Sequence, residues 1–319
     1  MRRWVVALFI LSVSAFAQRS DNPHPFDYDA KLPLDSQDAG VDFRGPLGIY
    51  DFSYASPKGG RVPAYLVLPP GKGPFAAIIW GHWCWGNSAF RNRKEFLDEA
   101  VALAPSGVAS LLIDLPVARP GYVENKAPFS SQEADDLVQM VIDIRRGADL
   151  LLARPFVDPK RLAYVGHSCG ATAGGIVSGT DKRLRAFVLM AGALSDEAVR
   201  KSSAYQEYRQ KLGPEKVDAF AAKYSWTDPA QFISHAAPAA LFLQYATQES
   251  FLTPEMARAM AAVASEPKQF QLYDAPHALN AQARRDRIAF LTEQLQLKPL
   301  PPDAIAKIPD LPQPPEPHP

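Results

Sequence analysis

The stretch that most limits what this chain can become runs from Leu162 to Gly175. Leu162 to Val165 is a short apolar strand, and Gly166-His167-Ser168-Cys169-Gly170 follows at once. Ala171, Thr172, Ala173, Gly174 and Gly175 come next, small residues that let a helix lie close on a sheet. A strand that turns sharply into a helix at G-x-S-x-G crowds every Cβ at the bend and strains the central serine. A glycine-rich turn without chemistry is the other reading of those five residues. The strand before and the helix after favour the strained bend.

The rest of the chain repeats the alternation. Phe75 to Trp80 and Ala109 to Ile113 are unbroken apolar runs, as strands buried on both faces require. Residues 186–191, 239–244 and 269–273 read as three further strands, with helices at about 254–265 and 281–297. Leu137, Val141, Ile144, Ala148 and Leu151 recur at intervals of three and four, which predicts a long amphipathic helix over 132–153. Ile49 to Tyr54 and Arg61 to Leu68, separated by Lys58-Gly59-Gly60, read as a hairpin. The expected fold class is therefore α/β: a mostly parallel central sheet, helices on both faces, and an antiparallel N-terminal hairpin at one edge.

Arg2 and Arg3 before the apolar run Trp4 to Leu11, with Ala15-Phe16-Ala17 after it, have the three-part layout of an export signal over residues 1–17. The run is too short for a permanent membrane span. The mature chain is expected to begin near Gln18, secreted or periplasmic. Residues 18–45 read as an irregular lead-in, 46–297 as one catalytic domain with a helical insertion at 195–230, and 298–319 as an extended proline-rich tail. Lys+Arg and Asp+Glu both number 34, so no basic excess points to nucleic acid. Oligomeric state is not readable.

A serine hydroxyl needs an adjacent base, itself oriented by a third group, and on this topology the order is serine, acid, histidine. His235, His277 and His318 follow Ser168. His318 lies in the tail, and His235 precedes a strand, at the wrong end of the sheet. His277 follows the strand Gln269 to Tyr273 and emerges at the carboxyl end, where sites on such sheets gather. Glu249 is the sole carboxylate in the loop Tyr245 to Ser250 and is the candidate orienting acid, with Asp196 in reserve. Exposed loop positions are the plainer reading of both residues.

Developing charge on a substrate oxygen needs fixed N–H donors. Cys169, after the serine, supplies one by position, and Cys84 supplies the other, with Trp83 as the alternative. Trp83, Trp85 and His82 are candidate pocket residues, and Trp80, at the strand end, reads as core. Cys84 and Cys169 are the chain's two cysteines, and in an exported protein an even count favours a bond between them. Two small buried thiols are the alternative.

The chain resembles the α/β-hydrolase superfamily over about residues 46–297. It is most similar to the branch that groups dienelactone-hydrolase-like, acetyl-xylan-esterase-like and prolyl-oligopeptidase-like domains. The resemblance is carried by RVPAYLVLPPGKGPFAAIIWGH, VDPKRLAYVGHSCGA, DPAQFISHAAPAALFLQYATQESFLTPE and YDAPHALN. It implies the α/β-hydrolase fold and cleavage of small carboxylic esters with no metal or organic cofactor. Trp83 stands where the family usually has Gly, Glu249 where Asp is commoner, and Ser168 where dienelactone hydrolases proper use cysteine. A serine peptidase and a non-catalytic binding protein are the competing functions. Against the peptidase stand the lack of a large second domain and of an obvious acidic cluster for a peptide N-terminus.

Overall fold

The computed structural model describes residues 24–86, 88–125, 130–249 and 252–313. The expected export signal and His318 lie outside these residues. β1 (Gln37–Arg44), β2 (Leu47–Ala55) and β3 (Arg61–Val67) form an antiparallel meander. Then come β4 (Phe75–Gly81), α1 (Leu97–Leu103), β5 (Val108–Ile113), α2 (Gln132–Leu152), β6 (Val157–His167), α3 (Cys169–Thr180) and β7 (Ala186–Met190). Four short helices follow: α4 (Asp196–Lys201), α5 (Ser203–Leu212), α6 (Pro214–Lys223) and α7 (Ala230–Ile233). The chain closes with β8 (Ala240–Ala246), α8 (Pro254–Val263), β9 (Lys268–Tyr273), α9 (Ala281–Gln294) and α10 (Pro302–Ala306).

All nine strands join one sheet in the order β1-β2-β3-β5-β4-β6-β7-β8-β9. From β5 onward every pairing is parallel, and β3 meets β5 antiparallel. The order reverses direction between β4 and β6, so the loops leaving their carboxyl ends diverge and open a crevice. Gly81 and Gly166 sit opposite each other at that point.

Burial follows the sequence pattern. β5, β7 and β8 are buried along their whole length, as parallel strands covered on both faces must be. One face packs Tyr54, Ile79, Val141, Ile176 and Tyr245 beneath α2, α3 and α8. The other packs Trp80, Phe96, Leu103 and Phe290 beneath α1 and α9. Trp80 is core, as expected.

Two expectations fail. Residues 18–45 are not irregular throughout, because Gln37 to Arg44 is β1. Every side chain of that strand is exposed, so it is held by its ladder to β2 and carries no burial pattern. Nor is the C-terminal segment wholly extended. Pro302 opens α10, a position where its missing N–H costs nothing, and Ile308 is buried against the α9 side of the core. Arg284 fixes the segment by donating from Nη1 to the Pro309 carbonyl at 2.8 Å.

Candidate active site

β6 delivers Ser168 to the mouth of the crevice. The serine sits at φ 55°, ψ −117°, a conformation other residues than glycine rarely adopt. Its N–H donates to the Met190 carbonyl at 2.8 Å, which pins the bend to the end of β7. The flanking glycines are sterically required. A Cβ on Gly166 would stand 2.5 Å from the Gly170 carbonyl oxygen, and one on Gly170 would stand 2.4 Å from that of Gly81. The first N–H groups of α3 begin at Cys169 and point away from the helix, leaving positive potential at the bend.

His277 and Glu249 come from neighbouring loops. Thr247 N–H donates to Tyr273 and Gln248 N–H to Ala275, so the chain after β8 runs beside the chain after β9. His277 Nδ1 then meets Glu249 Oε2 at 3.0 Å, with both side chains almost wholly buried. A carboxylate can only accept here, so Nδ1 carries the proton and Nε2 is the basic nitrogen. Burial holds the His277 pKa below 6.5, while the Glu249 carboxylate pulls the other way. The imidazole is flanked by rings: its centroid lies 4.9 Å from His167, 4.7 Å from Trp85 and 6.2 Å from Trp83. His277 is thereby set against the residue that precedes Ser168.

The reserve acid lines the same cavity but meets another partner. Asp196 opens α4 and pairs with Arg200 at 3.4 Å. Burial, helped by Asp228, pushes its carboxyl up to about 6. His235 precedes β8, at the opposite end of the sheet from Ser168.

The loop after β4 corrects part of the expected pocket. His82 is fully enclosed rather than pocket-lining. Its Nε2 accepts from Leu115 N–H at 2.9 Å and its Nδ1 donates to the Trp83 carbonyl at 2.6 Å, and burial lowers its pKa to about 3. It ties two loops together as a neutral ring. Trp83 is equally buried and packs 5.0 Å from the His167 ring, beneath the site rather than in its wall. Its N–H is taken by Glu95 Oε2 at 2.6 Å. Trp85 is half-buried and covers His277. Cys84 and Cys169 are joined by a disulfide, with Cα atoms 5.7 Å apart.

Glu95 is a residue that nothing in its local sequence singles out. It is wholly buried, reaching Trp83 with one oxygen and His167 Nδ1 with the other, the latter at 2.6 Å. Arg93-Lys94-Glu95 reads as a solvated run, and the only hint is the apolar Phe96-Leu97 that turns the chain inward.

Above Ser168 lies a cavity of about 850 Å³. Cys84, Cys169 and Thr172 form its floor beside the serine, and Tyr122 and Asn125 approach from the loop after β5. Tyr205, Phe220 and Tyr224 approach from the helical insertion. Among the described residues no group of three His, Cys, Asp or Glu is placed to hold a metal ion. No helix among them is long and apolar enough to cross a membrane.

No protein-family model and no curated protein matches the sequence. Solved structures do. An acetyl xylan esterase from Paenibacillus sp. R4 is 22% identical with a TM-score of 0.67, over 82% of this chain and 90% of that one. Acetyl xylan esterase 1 from Thermoanaerobacterium sp. JW/SL YS485 is 18% identical with a TM-score of 0.68, over 85% and 91%. An alpha/beta hydrolase from Penicillium sp. sh18 is 13% identical with a TM-score of 0.55, over 77% and 98%. The chain has the α/β-hydrolase fold. In these terms β6, the strained bend and α3 correspond to the strand, elbow and helix of that fold, and the cavity opens where such folds place their sites.

Proposed function

We propose that this protein is an exported serine hydrolase that cleaves small carboxylic esters through an acyl-serine intermediate, with Ser168 as nucleophile, His277 as base and Glu249 orienting the base. The observation that carries this reading is the buried His277–Glu249 pair at 3.0 Å, with the imidazole 4.9 Å from the ring of His167, the residue before a serine held in strain. The esterases among the similar structures support esters over peptides.

In the proposed cycle Ser168 Oγ bonds to the ester carbonyl carbon while its proton passes to His277 Nε2. The carbonyl oxygen becomes an oxyanion, held by the N–H groups of Cys169 and Cys84. The Trp83 amide, the alternative donor, is already committed to Glu95. Collapse breaks the bond to the alcohol oxygen, which leaves with the proton from His277. Water then attacks the acyl-serine, again giving its proton to His277, and the carboxylic acid departs as Ser168 recovers its hydrogen. Glu249 keeps the imidazole in the Nδ1–H tautomer and offsets the charge that forms on it.

A fluorophosphonate probe should label Ser168, located by peptide mass mapping, and p-nitrophenyl acetate should be cleaved faster than the matching anilide. An unlabelled chain inert toward esters would defeat the proposal. A faster anilide would move it to the peptidase class. Export predicts a recovered N-terminus near Gln18, read by Edman or mass analysis of extracytoplasmic protein.

A further inference from the structure

Glu95 touches two of the segments that the proposed reaction needs and reaches a third through His167, in a contact whose proton count is unusual. One oxygen, Oε2, accepts the Trp83 N–H at 2.6 Å, next to the proposed donor Cys84. The other, Oε1, lies 2.6 Å from His167 Nδ1, next to Ser168. On the far side of that ring, His167 Nε2 lies 2.9 Å from the backbone carbonyl of His277. A carbonyl can only accept, so Nε2 must carry a hydrogen. A neutral imidazole then has no hydrogen on Nδ1, and a 2.6 Å approach to a carboxylate would set two lone pairs against each other. A second hydrogen therefore lies between Nδ1 and Oε1.

We infer that Glu95 and His167 share one buried proton, as a carboxylic acid donating to a neutral imidazole, and that this pair is the positioning unit that holds the oxyanion loop, the elbow and the His277 loop in register. The alternative placing, carboxylate beside imidazolium, would bury two charges where both side chains have no exposed surface. The surroundings do not favour it. Arg287, the cation nearest in effect, is committed to Glu99 through Nε at 2.8 Å and a second contact from Nη2. The remaining titratable groups that act on or feel the pair are His277, Glu99, Tyr164 and, beyond His277, Glu249. Burial raises Glu95 well above the usual carboxylate range and lowers His167 to about 4, in agreement with a neutral pair. Both side chains have no exposed surface and spend their polar atoms on each other, Trp83 and the His277 carbonyl, so they act as positioning residues.

The catalytic consequence rests on the serine-hydrolase reading, whereas the shared proton does not. Two measurements on the full-length mature chain keep them apart. Long-range 1H–15N NMR, with His167→Gln for assignment, should show His167 neutral and protonated on Nε2 from about pH 5 to about pH 8. A His167 that titrates near its ordinary value, or that carries its hydrogen on Nδ1 alone, overturns the shared proton whatever the activity. Kinetics on p-nitrophenyl acetate supply the second test. Glu95→Gln can donate to Nδ1 and accept from Trp83 as the acid does, so kcat should stay within about 5-fold of the parent. Glu95→Ala should lose about 10²-fold in kcat with KM little changed, as expected when supporting geometry slackens by about an ångström. A Glu95→Gln chain as impaired as Glu95→Ala, or a Glu95→Ala chain with parental kcat, overturns the positioning role. Should Glu95→Ala fail to fold by circular dichroism, Glu95→Gln and the NMR tautomer still decide. A parent chain that neither reacts with fluorophosphonate at Ser168 nor cleaves the ester refutes the hydrolase reading instead, and the NMR result stands alone.

Discussion

The floor and the roof of the cavity are built on different physical terms. Supporting the floor, His277, Glu249, His167 and Glu95 are buried polar groups joined in short contacts. A covalent link joins the two loops that present Cys84 and Cys169. The roof, α4 to α6, buries only Val217 among its described side chains. It is laced by surface pairs such as Lys201–Glu197 and Arg209–Asp218, which contribute little each. The contrast teaches where tolerance lies: a buried polar network punishes the loss of any partner, while an exposed helical cover can shift or be altered at small cost.

Substitutions should follow that division. Ser168→Ala should reduce kcat on p-nitrophenyl acetate by about 10⁴-fold or more, and parental turnover in that variant would break the floor at its centre. Glu249→Gln should cost roughly 10³- to 10⁴-fold, because the amide no longer dictates which imidazole nitrogen is basic. Replacing both cysteines, Cys84→Ser with Cys169→Ser, should lower kcat by about 10-fold to 10²-fold. It should also remove about 2–4 kcal/mol of stability, measured by denaturant unfolding. Full activity with reduced stability would show that the link serves folding alone.

Acidification tests the base directly. In the proposed cycle the rate needs neutral His277, so kcat/KM should fall about 10-fold per pH unit once pH drops below its pKa. Burial places that limb below 6.5, on the acid side of an exposed histidine. A limb above 6.5 would mean that the Glu249 carboxylate outweighs desolvation. The smallest effect belongs to the roof. Tyr208 lines the cavity yet is 48% exposed, so Tyr208→Ala should change acetate turnover by less than about 3-fold and stability by about 0.5 kcal/mol or less. A larger loss with this small ester would put the insertion inside the chemistry.

Much of this arrangement was legible in the residues. The apolar runs at 75–80 and 109–113 and the glycines about Ser168 announce a parallel sheet and a strained bend, because burial and steric crowding leave marks in composition. The helical insertion at 195–230 is legible on other grounds, as a long charged and aromatic stretch that breaks the alternation of strand and helix. β1 was not, since a strand held by backbone bonds with every side chain exposed has no pattern to read. His82 reads as a pocket residue by its type, whereas the hydrogen bond it accepts from Leu115 depends on a chain crossing that no local sequence encodes. Glu95 was invisible for a related reason: a carboxylate in a charged run looks solvated until the loops that enclose it are assembled. Long-range polar partnerships are the part of a site that spacing conveys least.

The helical cover also has a neck. Asp196 N–H donates to Asp228 Oδ1 at 3.3 Å, and that same oxygen accepts from Ala230 N–H at 2.9 Å, so the excursion leaves and rejoins the body of the protein at one place. A segment closed at its own base behaves as a cassette. Its length and chemistry can be exchanged between Asp196 and Asp228 without altering a strand, which makes this neck the natural junction for grafting covers of different shape onto an unchanged sheet and floor.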